Sequence, residues 1–264
     1  MTTKPRAEDF LALILFNNDD HRVMLIDFDD LAKQFGKKTA NRMLDTLVPD
    51  PEPRPKDWIV ETWAARGSVG IALAGEDPLY ALSQLAGLAV AVGYGKPWAN
   101  VKPATSGPVL FVSAIDNVAF VNLALTARRN HVRAQATRMR LAVLGVETLA
   151  VFDGKPRLTN NWRDLLDQMS ALKPALVIID GRNGVLAGDA EGAFRWFGTL
   201  AHVLAKLHNC AVLLLVDGAG EEDMDRWRGC SGFRFAFSGS ADGAVMQTAL
   251  AAAVASGELP SMPR

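Results

Sequence analysis

Pro174–Asp180 reads PALVIID and Cys210–Asp217 reads CAVLLLVD. Each is a continuous apolar run, rich in Val, Ile and Leu, that stops on a carboxylate. A strand that alternates apolar and polar residues buries one face, whereas an unbroken run implies burial on both. Between the two lies Glu191–Asn209, EGAFRWFGTLAHVLAKLHN, whose apolar residues recur at helical spacing. Strand, helix and strand of this kind make a unit of parallel sheet.

The same alternation extends outward in both directions. Gly70–Gly75 (GIALAG) is a short strand leading into the small, apolar helical stretch Leu79–Gly95. Ser106–Ala114 (SGPVLFVSA) is a strand with a Gly-Pro entry. Val118–Leu141 reads as one long arginine-rich helix, Glu147–Gly154 as a strand and Trp162–Leu172 as a helix. The expected fold is an α/β domain with a mostly parallel sheet covered on both faces, and its functional groups belong at the carboxyl ends of the strands.

Pro49–Pro55 reads PDPEPRP. Alternating prolines neither continue a helix nor donate to a ladder, so residues 49–57 form an extended linker. It divides an N-terminal segment, 1–48, from the main domain, 58–264. Within that segment FLALILF and RVMLIDF fit strands or helix faces, and Asp29–Leu47 has helical spacing.

Composition excludes several function classes. A net charge of −1, from 28 basic and 29 acidic residues, gives no global field toward nucleic acid or anionic membrane, so such a contact needs a local patch. Two cysteines, Cys210 and Cys230, fit neither a disulfide framework nor a zinc spacing. Cys210 lies in an apolar run and reads as a small buried hydrophobe. No apolar stretch approaches the ~20 residues of a membrane span, and the N-terminus carries no cleavable-signal pattern. The expectation is a cytoplasmic protein.

Several segments, in this order, resemble the RecA-like P-loop ATPase superfamily, in its plasmid RepA-type replicative-helicase branch. GYGKPW (Gly93–Trp98) resembles the G-[RK]-P-[WF] turn after the phosphate-loop helix. SGPVLFVSAID (Ser106–Asp116) resembles the strand that follows it. Leu172–Ala193 resembles the Walker B strand and loop, and CAVLLLVDGAG the strand after that. Trp227–Met246 resembles the R-G-S-[SG]-A-[LF]-R-A-A-A-D-G loop. The similarity covers roughly residues 58–247. It implies a RecA-like three-layer sandwich with a mostly parallel central sheet, to which residues 1–48 are a short appendage.

The departures from that pattern bear on chemistry. A loop of the form G-x-x-x-x-G-K-[ST] cradles the β-phosphate in backbone N–H groups, neutralises it with lysine and holds Mg²⁺ with the hydroxyl. The matching place, Gly70–Leu85, reads GIALAGEDPLYALSQL, keeps only Gly75, and has no lysine between Lys56 and Lys96. Glu76, Asp77 and Pro78 bring two negative charges and a residue without an N–H to the phosphate position. The plain reading is that Asp77 caps a helix with Pro78 at its first position. Ile115 falls where relatives place the glutamate that orients water, with Asp116 beside it. Val216–Asp217 falls where relatives often carry nucleotide-sensing polar residues.

Asp180 matches the Walker B aspartate, and its alternative is a strand-terminating Asp that accepts backbone N–H bonds. Gly75 and Asp180 are thus the candidates for a vestigial nucleotide site. No cofactor is expected, the alternative being ATP and Mg²⁺. Arg228 sits in a loop where some relatives reach a neighbour's nucleotide, or else it is a subunit or DNA contact. Trp227 beside it is an interface-anchor candidate or a tucked-in loop tryptophan.

From Val118 to Val146 the chain has one arginine-rich stretch. Arg129, Arg133 and Arg140, at spacings of four and seven on one helix, can track a phosphate backbone, with Leu125 and Val132 toward the core. The alternative is a solvated basic face. Taken together, these residues lead to three readings: a non-catalytic RecA-like protein that acts by assembly with nucleic acid or a protein partner in replication, recombination or mobile-element function; an active ATPase with an unusual loop; or a regulatory partner of an active ATPase. A shortened C-terminal part, TALAAAVASGELPSMPR after Gln247, leaves a sheet edge open to pairing, so a homo-oligomer or hetero-complex is expected and no membrane association.

Overall fold

A computed structural model describes residues 58–60, 64–74, 78–98, 103–134, 140–152, 156–188, 190–217 and 233–236. Segment 1–48, the linker 49–57, Gly75, Trp227 and Arg228 lie outside the described residues. The centre is a six-stranded sheet in which every pairing is parallel, in the order β11 (Phe233–Ala236), β3 (Val69–Leu73), β10 (Ala211–Val216), β8 (Leu176–Asp180), β4 (Val109–Ala114), β5 (Leu141–Val146). β3, β4, β8 and β10 are buried along their whole length. The uninterrupted apolar runs are therefore explained by cover on both faces.

Two layers of helix supply that cover. α1 (Pro78–Tyr94) and α2 (Val118–His131) pack with Phe111, Leu176, Ile178, Leu213 and Leu215 on one face. α3 (Asn160–Leu172) and α4 (Ala190–Leu207) pack with Leu110, Val112, Val177, Ile179 and Leu214 on the other. Alternate residues of each strand serve opposite layers, as the two-residue period of a strand requires. The result is the three-layer RecA-like sandwich. α3 and α4 meet edge to face through Trp162 and Phe197, with ring centroids 6.1 Å apart.

α1 is apolar almost all round, and a helix of that kind must be covered on every side. The sheet lies beneath it, α2 beside it, and Ile59, Val60 and Ala64 from the hairpin β1 (Trp58–Val60) and β2 (Ala64–Ala65) join the same core. A second, three-stranded sheet orders β7 (Pro156–Leu158), β6 (Ala150–Phe152) and β9 (Leu186–Gly188), with β6 antiparallel to β7 and parallel to β9. Cys210 is free and fully buried, and that burial pushes its thiol up to about 12. Among the described residues, no helix is long and apolar enough to cross a membrane.

Two expectations need correction. The arginine-rich stretch is not one helix to Leu141: α2 ends at His131, Arg133 takes a left-handed turn (φ 49°), and Leu141 opens β5. Arg129, Arg133 and Arg140 therefore do not share a helix face, although Leu125 and Val132 do pack on the core as expected. The mistake is physical: LAVLGV is a strand at the margin of the sheet, half-buried over most of its length, and its pattern merges with the helix before it. The strand expected in Glu147–Gly154 exists as β6, but it belongs to the small sheet.

Gly87, in the interior of α1, isolates one packing constraint. Propensity alone makes glycine to alanine in a helix a gain of about 1 kcal/mol. A Cβ at Gly87, however, would lie 2.5 Å from Nε1 and 2.6 Å from Cδ1 of the buried Trp98. Gly87→Ala is expected to lower stability by about 1–3 kcal/mol through overpacking, read as a fall in the urea midpoint. A rise in that midpoint would contradict the packing described.

Candidate functional site at the carboxyl ends of the strands

Chain order and sheet order together bring distant residues to one edge. β10 runs between β3 and β8, with Leu214 opposite Ile71 and Leu215 opposite Asp180. At the strand ends the Ala74 N–H donates to the Val216 carbonyl (2.9 Å), and the Gly181 N–H to the Leu215 carbonyl (2.9 Å). Ala74, Asp180 and Asp217 are thereby held on three adjacent strand ends. Such an edge, where connections leave toward opposite faces, is where open α/β sheets bind ligands. Gly75 follows Ala74 in the chain but lies outside the described residues.

Asp180 is 1% exposed and is bound by its own neighbour. Arg182 grips it in a fork, Nε to Oδ1 at 2.8 Å and Nη2 to Oδ2 at 2.9 Å, while the Arg182 main-chain N–H adds a longer bond to Oδ1 at 3.3 Å. Arg182 is itself buried, 6% exposed. Burial would lower its pKa, but the bonds to Asp180 and the charges of Asp180 and Asp217 outweigh that and hold the guanidinium above its ordinary value.

A tight turn makes this short-range fork possible. The Val185 N–H donates back to the Arg182 carbonyl (3.2 Å), with Asn183 and Gly184 at positive φ (54° and 83°). Asn and Gly tolerate that region best. Thr148 Oγ1 donates to the Gly184 carbonyl (2.9 Å) and the Leu149 N–H to the Val185 carbonyl (2.8 Å), tying the turn to the chain that enters β6. A side chain at Gly181 would be tight: a Cβ would sit 3.1 Å from the Leu215 carbonyl oxygen and 3.2 Å from Leu186 Cδ1.

Polar groups at the neighbouring end of β4 are bare. Alternation along β4 and β8 puts Ser113 and Asp180 on the face that carries α1. The Ser113 hydroxyl and both amide atoms of Asn117 are buried without a hydrogen-bond partner. Ile115, at the end of β4, is 57% exposed, and Asp116 beside it is also exposed. Asp217 stands at the end of β10. Partial desolvation raises its pKa, the Arg182 charge pulls it down, and the Asp180 charge pushes it up again.

The basic candidates lie elsewhere. Arg129 is in the last turn of α2, Arg133 is exposed just after it, and Arg140 precedes β5 with Nη1 donating to the Gly93 carbonyl at 3.4 Å. All three are at the amino edge of the sheet, opposite Asp180. Arg182 escaped the sequence reading because nothing in IIDGRNG shows that an arginine two residues on folds back. The Asp-Gly-Arg spacing was the available signal.

Removing one partner of a buried fork strands the other charge, at a cost of about 3–5 kcal/mol. Arg182→Met is expected to destabilise the fold by that order. Asp180→Leu combined with Arg182→Met should be milder than the sum of the single changes, as a chemical-denaturation cycle would report. Asp217 has a raised pKa in the folded state, so the unfolded chain releases its proton first and stability falls as pH rises from about 4. Asp217→Asn should therefore raise the melting temperature at neutral pH, and the gain should vanish near pH 3.

A family model for the AAA domain matches residues 38–218, more than half of the chain. A search among curated proteins finds no match. The parallel sheet, its two helical layers and the carboxyl-edge cluster lie largely within the matched span, and the chain belongs to the AAA domain family, with a P-loop NTPase-like fold.

Proposed function

We propose that this chain is a non-hydrolysing relative of the RepA-type ATPases, with a degenerate Walker A loop, that works by assembling with nucleic acid or a protein partner. The fork on Asp180 carries the reading. Mg²⁺ at such a site is held through one or two carboxylates together with the substrate phosphates, yet both Asp180 oxygens are already engaged by the Arg182 guanidinium. The residues present do not fit a Mg²⁺–nucleotide complex. Glu76 and Asp77 at the phosphate position, Ile115 at the water-orienting position and the absence of lysine between Lys56 and Lys96 support the same conclusion.

A nucleotide that binds the folded state must stabilise it. At ~100 times its Kd the gain is about 2.7 kcal/mol. Millimolar ATP with Mg²⁺ is expected to leave the melting temperature and the calorimetric baseline unchanged. Saturable micromolar binding would overturn the proposal, and turnover that disappears in Asp180→Asn would replace it with an active ATPase. A mixed assembly with an active ATPase, recovered from the native host in place of a homomeric species, would identify a regulatory subunit instead.

A further inference from the structure

Asparagine precedes glycine once in the chain, at Asn183–Gly184, and this pair forms the tip of the turn that carries the Arg182 fork. The pair has a chemistry of its own. The side-chain amide carbon of an asparagine lies within reach of the next main-chain nitrogen, and a five-membered imide closes when that nitrogen attacks. A side chain on the following residue hinders the approach, and glycine has none.

The surroundings leave this pair open to the reaction. Asn183 and Gly184 are both exposed, between the buried Arg182 and Val185. A Cβ built on Gly184 meets nothing within 4 Å, so the space beside the glycine is empty. The Val185 N–H is bound to the Arg182 carbonyl, and the Gly184 carbonyl accepts from Thr148 Oγ1. Among the described residues, however, neither the Gly184 N–H nor the Asn183 amide has a partner. The nucleophile is thus a nitrogen that no hydrogen bond engages, and the electrophile is an amide in water. Other described asparagines lack this combination. Asn117 is buried at the start of α2, and Asn122 is within that helix. Asn209 also has positive φ (50°), but it precedes Cys210, whose N–H is bound to the Ala205 carbonyl.

We propose that Asn183–Gly184 is a site of self-modification whose conversion releases Arg182 from Asp180. The Gly184 nitrogen attacks Asn183 Cγ, a C–N bond forms, the nitrogen's proton passes to the departing amide, and ammonia leaves. Water then opens the imide. Attack at the former side-chain carbonyl gives aspartate, and attack at the main-chain carbonyl gives isoaspartate, with one more carbon in the chain. Water is consumed and ammonia released, with no change of oxidation state. The turn from Arg182 to Val185 closes on a single 3.2 Å bond. Thr148 and Leu149 hold Gly184 and Val185 from the other side. An added main-chain carbon therefore opens the turn at its Arg182 end and draws the guanidinium away from Asp180. The new carboxylate, one residue along, competes for the same cation. None of this depends on the fate of ATP.

Ageing the full chain at mildly alkaline pH tests the proposal. Mass spectrometry of the peptide around Asn183 reads the amide-to-acid conversion, and an S-adenosylmethionine-dependent isoaspartyl carboxyl methyltransferase counts the isoaspartate. Conversion is expected at Asn183 before Asn117, Asn122 or Asn209. The isoaspartyl fraction should melt below the fresh chain by roughly 5 °C or more, as befits a buried carboxylate that has lost its partner. Asn183→Gly, which keeps the positive φ and carries no amide, should hold its melting temperature through the same ageing. Thr148→Val, which frees the Gly184 carbonyl and leaves the fork in place, should convert faster. No conversion in the folded chain, under conditions where the urea-unfolded chain converts, would overturn the site. Conversion to isoaspartate with an unchanged melting temperature would overturn the release of Arg182.

Discussion

The placement of β10 between β3 and β8 is the constraint from which the rest of the molecule follows. It is secured by parallel pairing on both sides and by the bonds Ala74 to Val216 and Gly181 to Leu215. With β10 central, its residues must be apolar on both faces, and CAVLLLV satisfies that. Strands β8 and β4 are then displaced to one side of β3. The chain leaving β3 must cross two strands before re-entering the sheet at β4, and α1 is the crossover. This path explains why α1 is buried on every side and why Gly87 must yield space to Trp98.

The same placement creates the carboxyl-edge site and decides its chemistry. In a P-loop fold the strand ends that meet here surround phosphate and metal, which requires carboxylate oxygens open to a cation. This chain presents the carboxylate already paired. A buried Asp–Arg fork need not add net stability over an apolar substitute, because desolvation offsets much of the attraction. Its effect is to give the strand end an internal cation. The bare polar atoms of Ser113 and Asn117 and the exposed Ile115 complete this edge.

Much of the fold was legible in residue order. The unbroken apolar runs of β8 and β10, the small apolar helix after β3 and the amphipathic α4 each carry a strong period or length signal. Elements at the margin were harder. β5 is only half-buried over most of its length and sits directly behind an arginine-rich segment, so the helix expected over Val118–Leu141 ran into its first residue and the strand itself was not anticipated. The strands β6, β7 and β9 are three residues each, too short for any periodicity to develop.

The sequence by itself determined the fold class, the carboxylate ending β8, and the absence of lysine between Lys56 and Lys96, because burial pattern and residue type are local properties. It also showed that basic residues cluster between Val118 and Val146, but not where that cluster points. Tertiary structure alone decided that Arg182 turns back onto Asp180, since the fork depends on a turn held by Thr148 and Leu149 from a distant part of the chain. It alone decided that Arg129, Arg133 and Arg140 reach the opposite edge from that carboxylate. In a parallel sheet every strand start gathers at one end, whatever the separation along the chain.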